Sequence, residues 1–321
     1  MKMTVYAVQP EELPIFRSLE RQGIMTFTLT EEKPSIGNLE LLRGADAVNV
    51  ISDTVITEEL WQGWKRMGIR AAVTRTIGME HMNRETGERL GIPVFNITYS
   101  PASVADYAIM MMLMVLRHVK PMMYRYLGQD YTMSGYLGRE LPNLTVGVIG
   151  AGRIGTTVLR HLSGFGCRLC YWSRSPKPEL SGVAERMELE ELLGQSDIVS
   201  LHLASTDETC RFLDRTRISS MKRGAVLINT ARGPLVDTDA LIEALETGHL
   251  SAAGLDVFDG DRSIYYRDFK NTPVSSRQKA ILDAMPNVLM LPHMAYFTDQ
   301  AMEDMVTNSV QAVAQYLQEK E

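Results

Sequence analysis

Short runs of β-branched and aromatic residues alternate along this chain with stretches of helical period. The runs at 4–8 (TVYAV), 25–29 (MTFTL), 47–52 (AVNVIS), 71–76 (AAVTRT) and 94–97 (VFNI) have strand length, and helical segments such as EELWQGWKRMG separate most of them. Such alternation predicts parallel sheets flanked by helices. A long apolar helix is expected over about 102–120, then a connector containing Gly, Tyr and Met. A second series follows, with strands at 145–150, 168–173, 197–203, 225–230, 252–257 and 288–292. The closing segment sets Met302, Met305, Val306, Val310, Val313 and Leu317 on one helical stripe behind a cap at Thr298. The pattern reads as two α/β domains, the second inserted into the first. Residues 1–100 with 298–321 form one and 101–297 the other, the final helix returning to the N-terminal domain.

Composition narrows the class. With 321 residues, 45% hydrophobic and 22% charged, the chain is of ordinary globular make-up. Its net charge of −6 and lack of a basic run argue against nucleic acid as a partner. The N-terminus MKMTVYAVQPEE lacks the apolar core of a signal peptide, and the most apolar run, 107–116, is too short to cross a bilayer. No membrane partner is expected, and a reducing cytoplasm is the simplest address. Cys167 and Cys170 form a C-x-x-C, but positions i and i+3 of a strand face opposite sides. They read as buried small residues, and no metal site is expected.

The strand TVGVIG runs into G-x-G-x-x-G at Gly150, Gly152 and Gly155, at the start of a helical pattern. The first glycine permits a tight turn, the second lets backbone approach a pyrophosphate, and the third brings helix and strand close. This predicts dinucleotide binding. The next strand ends not in the usual Asp or Glu but in Ser173, followed by Arg174 and Ser175. A carboxylate there would accept the ribose hydroxyls and repel a 2′-phosphate. Two hydroxyls and a guanidinium instead favour NADP(H), with NAD(H) as the alternative.

Four further segments make a resemblance specific: NITYSPASVADY (96–107), INTARGPLVD (228–237), GLDVFDGD (254–261) and NVLMLPHMAYFT (287–298). Over essentially the whole chain they resemble the D-2-hydroxyacid dehydrogenase family. The likeness is greatest to its D-lactate dehydrogenase branch, which includes the NADPH-using enzyme of the vancomycin-resistance operons with a very similar SRS. The long segment between Asp261 and His293 also looks like that branch. The resemblance implies a Rossmann nucleotide domain inserted into a flavodoxin-like substrate domain, and a homodimer held through the methionine-rich helix at 102–120.

The chemistry stands beside the name. Reducing a 2-oxo acid needs a cation to grip the carboxylate and polarise the ketone, and a proton donor for the developing alkoxide. Arg232 supplies a planar fork matched to a carboxylate. His293 is the natural donor, since imidazole titrates near neutrality. Asp261, where the family has Glu, is expected to orient the imidazole and favour its protonated form. By resemblance, Tyr99 contacts substrate, and the amides of Ile77 and Gly78 hold the substrate carboxylate. Arg153 and Ile154 lie at the pyrophosphate, with Leu203, Ala204 and Thr209 along the adenosine. Thr230, Ala231 and Asp256 approach the nicotinamide ribose and ring. Leu203-Ala204 in place of Val-Pro, Asn83 in place of Asp, and Asp261 all depart from the family pattern. Pyruvate to D-lactate is the first reaction expected. Larger branched-chain or aromatic 2-oxo acids, and a dinucleotide-sensing corepressor-like scaffold, are the alternatives.

Overall fold

Every strand in this protein runs parallel to its neighbours, in two separate sheets. A computed structural model describes residues 1–52 and 54–320. They divide into a first unit, Met1–Ser100 with the residues from Phe297 on, and a second unit, Pro101–Tyr296.

The first unit carries β1 (Lys2–Val5), β2 (Thr26–Leu29), β3 (Ala47–Val50), β4 (Ala71–Thr74) and β5 (Val94–Phe95) in the order β2-β1-β3-β4-β5. Helices α1 (Leu13–Arg21), α2 (Glu58–Arg66) and α3 (Arg84–Arg89) connect them. Thr57 starts α2 by accepting the Leu60 amide. Beyond the strand ends, Arg75 is fully buried. Its guanidinium binds both carboxylate oxygens of buried Glu12, at 2.7 and 3.2 Å. It also donates to Asn49 Oδ1 at 3.0 Å and to the carbonyls of Tyr6 and Ala7. Asn49 in turn reaches Ser309 on the last helix, Asp299–Gln318, at 2.9 Å. That helix is capped by Thr298 and buries Met302, Met305, Val306, Val310, Val313 and Leu317 within this unit, on the stripe the sequence marks.

The second unit begins with α4 (Ala102–Leu116) and α5 (Val119–Leu127). Its strands are β6 (Thr145–Ile149), β7 (Arg168–Trp172), β8 (Glu185–Arg186), β9 (Ile198–Leu201), β10 (Ala225–Asn229), β11 (Leu250–Leu255) and β12 (Val288–Met290). Their order, β12-β11-β10-β9-β6-β7-β8, reverses direction between β6 and β9, as in a dinucleotide-binding sheet. Five helices join them: α6 (Arg153–Leu162), α7 (Leu189–Gln195), α8 (Arg215–Ser220), α9 (Thr238–Glu246) and α10 (Arg277–Ala284). Val146, Val148, Ile198, Val226 and Ile228 bury one face of the sheet against α4 and α6, while Leu201, Leu227, Leu255 and Val288 bury the other.

Three details differ from the sequence reading. The helix expected over 102–120 stops at Leu116, His118 takes a left-handed φ of 52°, and α5 leaves at 62° into the expected connector. Pro121 has no amide to continue the first helix. Strand β8 is two residues of a sheet edge, too short to show in a sequence pattern. The strands also end sooner, as at Thr74, because residues beyond them turn into the loops that carry chemistry.

Among the described residues, no single helix is long and apolar enough to cross a membrane. Glycine at 155 is a packing requirement: a Cβ there would stand 2.1 Å from the Gly150 carbonyl oxygen, which is backbone and cannot swing aside. Gly155→Ala is expected to destabilise the ligand-free protein by about 1–3 kcal/mol, the usual cost of overpacking. Urea unfolding measures this, and an unchanged midpoint would show that α6 can move off the strand.

Candidate active site

The C-terminal ends of β7, β6, β9, β10, β11 and β12 bring together most of the residues singled out from the sequence. Gly150 directly follows β6 with φ 97°, and a Cβ there would sit 2.6 Å from His202 O and 2.9 Å from Leu203. Gly152 precedes α6 in open space. Arg153 and Ile154 form the first turn of α6, whose amide end suits an anion. Thr209 donates its hydroxyl to Ala204 O at 2.7 Å, folding the segment after β9. Thr230, after β10, is buried, and its hydroxyl has no hydrogen-bond partner among the described residues. An orphaned buried hydroxyl, an open glycine and a helix N-terminus fit a dinucleotide cofactor.

Beyond β7, Ser173 is buried and its hydroxyl donates to Ser175 O at 2.5 Å, whereas Arg174 and Ser175 are exposed. In the ligand-free protein the Ser173 hydroxyl is thus used within the turn, and Arg174 and Ser175 are the groups left exposed.

Asp256, at the end of β11, is fully buried. Its carboxylate accepts the amides of Met294 and Ala295 at 2.9 and 3.0 Å and the Tyr107 hydroxyl, while its carbonyl accepts the His293 amide at 2.9 Å. Burial pushes this carboxyl above its ordinary value and, with Asp256 beside it, pushes the Tyr107 phenol up as well. These bonds fold the segment after β12 back onto β11, where His293 sits at a left-handed φ of 57°. Tyr266 donates to the His293 carbonyl at 2.8 Å. Neither tyrosine was picked out from sequence. Tyr107 reads there as an apolar helix position, and Tyr266 lies in a segment without period.

Arg232 follows β10 in extended backbone. Asn229 holds that turn from both sides, accepting the Ala231 amide and donating to Arg232 O, each at 3.0 Å. Gly233 makes it possible, since a Cβ would meet Phe258 backbone at 2.0 Å. The Asp261 carboxylate lies 3.7 Å from His293 Nδ1, beyond hydrogen-bond distance. Burial pushes Asp261 up to about 6, against the pull of the Phe258 and Arg262 amides and of the Arg232 and Arg262 guanidiniums. Burial also pushes His293 down to about 4, helped by the same two guanidiniums. The expectation that Asp261 holds this imidazole protonated is not met. Desolvation, aided by the Arg232 and Arg262 guanidiniums, depresses the imidazole, and Arg262 becomes its neighbour only through the fold.

In the first unit, the loop after β4 is latched at two carbonyls. Thr76 donates its hydroxyl to Gly78 O at 2.6 Å, and Asn96 donates to Ile77 O at 2.8 Å. Neither the Ile77 nor the Gly78 amide has an acceptor among the described residues. Tyr99 lies just before Ser100, whose amide is held by Asp304 at 2.7 Å.

Residues 109–295 match the family model described as D-isomer specific 2-hydroxyacid dehydrogenase, NAD binding domain. The chain is 38% identical over 309 residues to a D-specific alpha-keto acid dehydrogenase of Enterococcus faecium, covering 96% of this chain and 94% of that one. It is 31% identical to an aromatic 2-oxoacid reductase of Clostridium sporogenes, over 95% and 93% of the two chains. Among solved structures, a D-lactate dehydrogenase from Treponema pallidum superposes with a TM-score of 0.92 at 28% identity, covering 99% of this chain and 97% of that one. Nearly full-length matches to reductases and dehydrogenases of 2-oxo and 2-hydroxy acids, on two doubly wound parallel sheets, decide the matter: the chain belongs to the D-isomer specific 2-hydroxyacid dehydrogenase family.

Proposed function

We propose that this dehydrogenase reduces a 2-oxo acid to the D-(R)-2-hydroxy acid with NADPH, with pyruvate as first substrate. The observation that carries the reading is the grouping of Arg232, Asp261 and His293 beyond the ends of β10, β11 and β12, on the same sheet edge as a dinucleotide turn. When bound, the cofactor supplies the hydride. Arg232 grips the carboxylate and polarises the ketone, and His293 gives its proton to the alkoxide. The paired amides of Ile77 and Gly78 suit a carboxylate, and Tyr99 is a further substrate contact by resemblance. Gly150, Gly152, Arg153 and Ile154 would hold the pyrophosphate, with Leu203, Ala204 and Thr209 at the adenosine, and Thr230 and Ala231 at the nicotinamide ribose. Asp256 would act there through the segment it anchors.

Preference for NADPH rests on Arg174, exposed where a carboxylate would select NADH. The likeness to an aromatic 2-oxoacid reductase keeps larger substrates as the second reading. Dimerisation is proposed through the methionine-rich helix at 102–120, where Met110 and Leu113 of α4 are exposed, together with the following α5, where Met123, Tyr124, Tyr126 and Leu127 are exposed.

His293 is neutral at pH 7 in the ligand-free protein, so the proton donor must be charged after substrate arrives. A substrate carboxylate on Arg232 offsets one of the guanidiniums that depress the imidazole, so binding draws in a proton.

Three outcomes test this reading. Arg232→Lys keeps a charge but loses the fork. It is expected to cost about 3–4 kcal/mol in kcat/KM while leaving cofactor affinity intact, and near-normal kcat/KM would remove Arg232 from the mechanism. Asp261→Asn removes the negative charge beside His293 and lowers its pKa further. Reduction needs protonated imidazole, so the basic limb of the kcat/KM profile should move to lower pH, with more activity lost at about pH 8 than at about pH 6. An unshifted limb would mean that Asp261 does not govern the proton. For the cofactor, Ser173→Asp combined with Arg174→Gln should turn preference from NADPH to NADH. Wild-type kcat/KM equal for both cofactors, or higher with NADH, refutes the NADPH assignment.

A further inference from the structure

Strand β8 places a second arginine at the end of β7. Arg186 is paired with Tyr171 across the parallel ladder, so its side chain shares a sheet face with Tyr171 and, two residues on, Ser173. Its Nη2 donates to Ser173 O at 3.4 Å, and Arg186 has no ion-pair partner among the described residues. The adjacent carboxylate, Glu185, is engaged by Arg168 at 2.8 Å and does not neutralise it. On the same face the Tyr171 hydroxyl accepts the Lys177 amide at 3.0 Å, which ties the turn 173–177 back to β7. With the Ser173 hydroxyl spent on Ser175 O, the turn itself offers a phosphate one exposed hydroxyl and one guanidinium.

We infer that Arg186 is a second cationic contact for the 2′-phosphate of NADPH, acting with Arg174 from the neighbouring strand. The inference rests on the NADPH reading above and deepens it. A dianionic phosphate takes two guanidiniums readily, since each fork presents parallel donors to different oxygens. A diol has no charge for either to engage. Arg186 thereby contributes discrimination between the two cofactors, and the hydrogen bond to Ser173 O holds it in place before the cofactor arrives.

The test is the affinity of the intact protein for NADPH, NADH, 2′,5′-ADP and 5′-AMP, in wild type, Arg186→Gln, Arg186→Lys and Arg174→Gln. Arg186→Gln is expected to weaken NADPH and 2′,5′-ADP roughly tenfold to a hundredfold, the worth of one hydrogen bond between charged groups. NADH and 5′-AMP should stay within about twofold, and Arg186→Lys should recover part of the loss. Equal weakening of phosphorylated and unphosphorylated ligands would make Arg186 a brace of the sheet edge and overturn the proposal. So would a wild-type preference for NADPH that survives Arg186→Gln undiminished. Wild type that binds NADH as tightly as NADPH instead removes the NADPH reading and the Arg186 contact together, an outcome seen before any variant is measured.

Discussion

Parallel pairing is the constraint on which the rest of this protein depends. When every strand in a sheet points the same way, each must be reached by a crossover connection, most often a helix, and all the C-terminal strand ends fall on one edge. Backbone at that edge leaves the ladder with unpaired groups that turns, side chains or ligands must satisfy. In the second unit six such ends carry Gly150, Ser173, Leu203, Thr230, Asp256 and the approach to His293. Residues scattered over some 140 positions, from Gly150 to His293, become neighbours without any long irregular excursion.

Within that edge, Asp256 does the local work. A buried carboxylate is costly unless several donors meet it, and here two amides and a phenol do. The bonds fix the chain over Met294 and Ala295, and they hold His293 in a left-handed conformation that a non-glycine residue adopts only when its surroundings impose it. The imidazole is thus aimed by backbone rather than by a bond to Asp261. Asn229 performs the matching service for Arg232, one strand away.

How much of this could be read from the sequence follows from what each feature requires. The glycine turn was legible because Gly150 has a positive φ and Gly155 touches backbone, two demands that only glycine meets. The two sheets were legible because buried parallel strands need unbroken apolar runs. The two-residue strand β8 has no period to detect, and the break at His118 lies inside an apolar stretch whose pattern continues past it. The charge state of His293 was beyond reach for another reason. It depends on Arg262 and on burial, and both arise only when the loop after β11 folds beside β12.

The ion pair of Arg75 and Glu12 has a consequence for how this chain can vary. Both side chains are fully enclosed, and the arginine also holds two carbonyls and Asn49. Replacing either partner alone strands the other's charge in the interior, at a cost of roughly 3–5 kcal/mol, a large share of the stability a domain ordinarily has. Replacing both removes the two charges together, but it also takes the donor from the buried Tyr6 carbonyl and Asn49 Oδ1. Any other pairing at these two positions is therefore separated from the present one by single-step intermediates that fold poorly. Sixty-three positions apart in the chain, residues 12 and 75 are bound to change together or not at all.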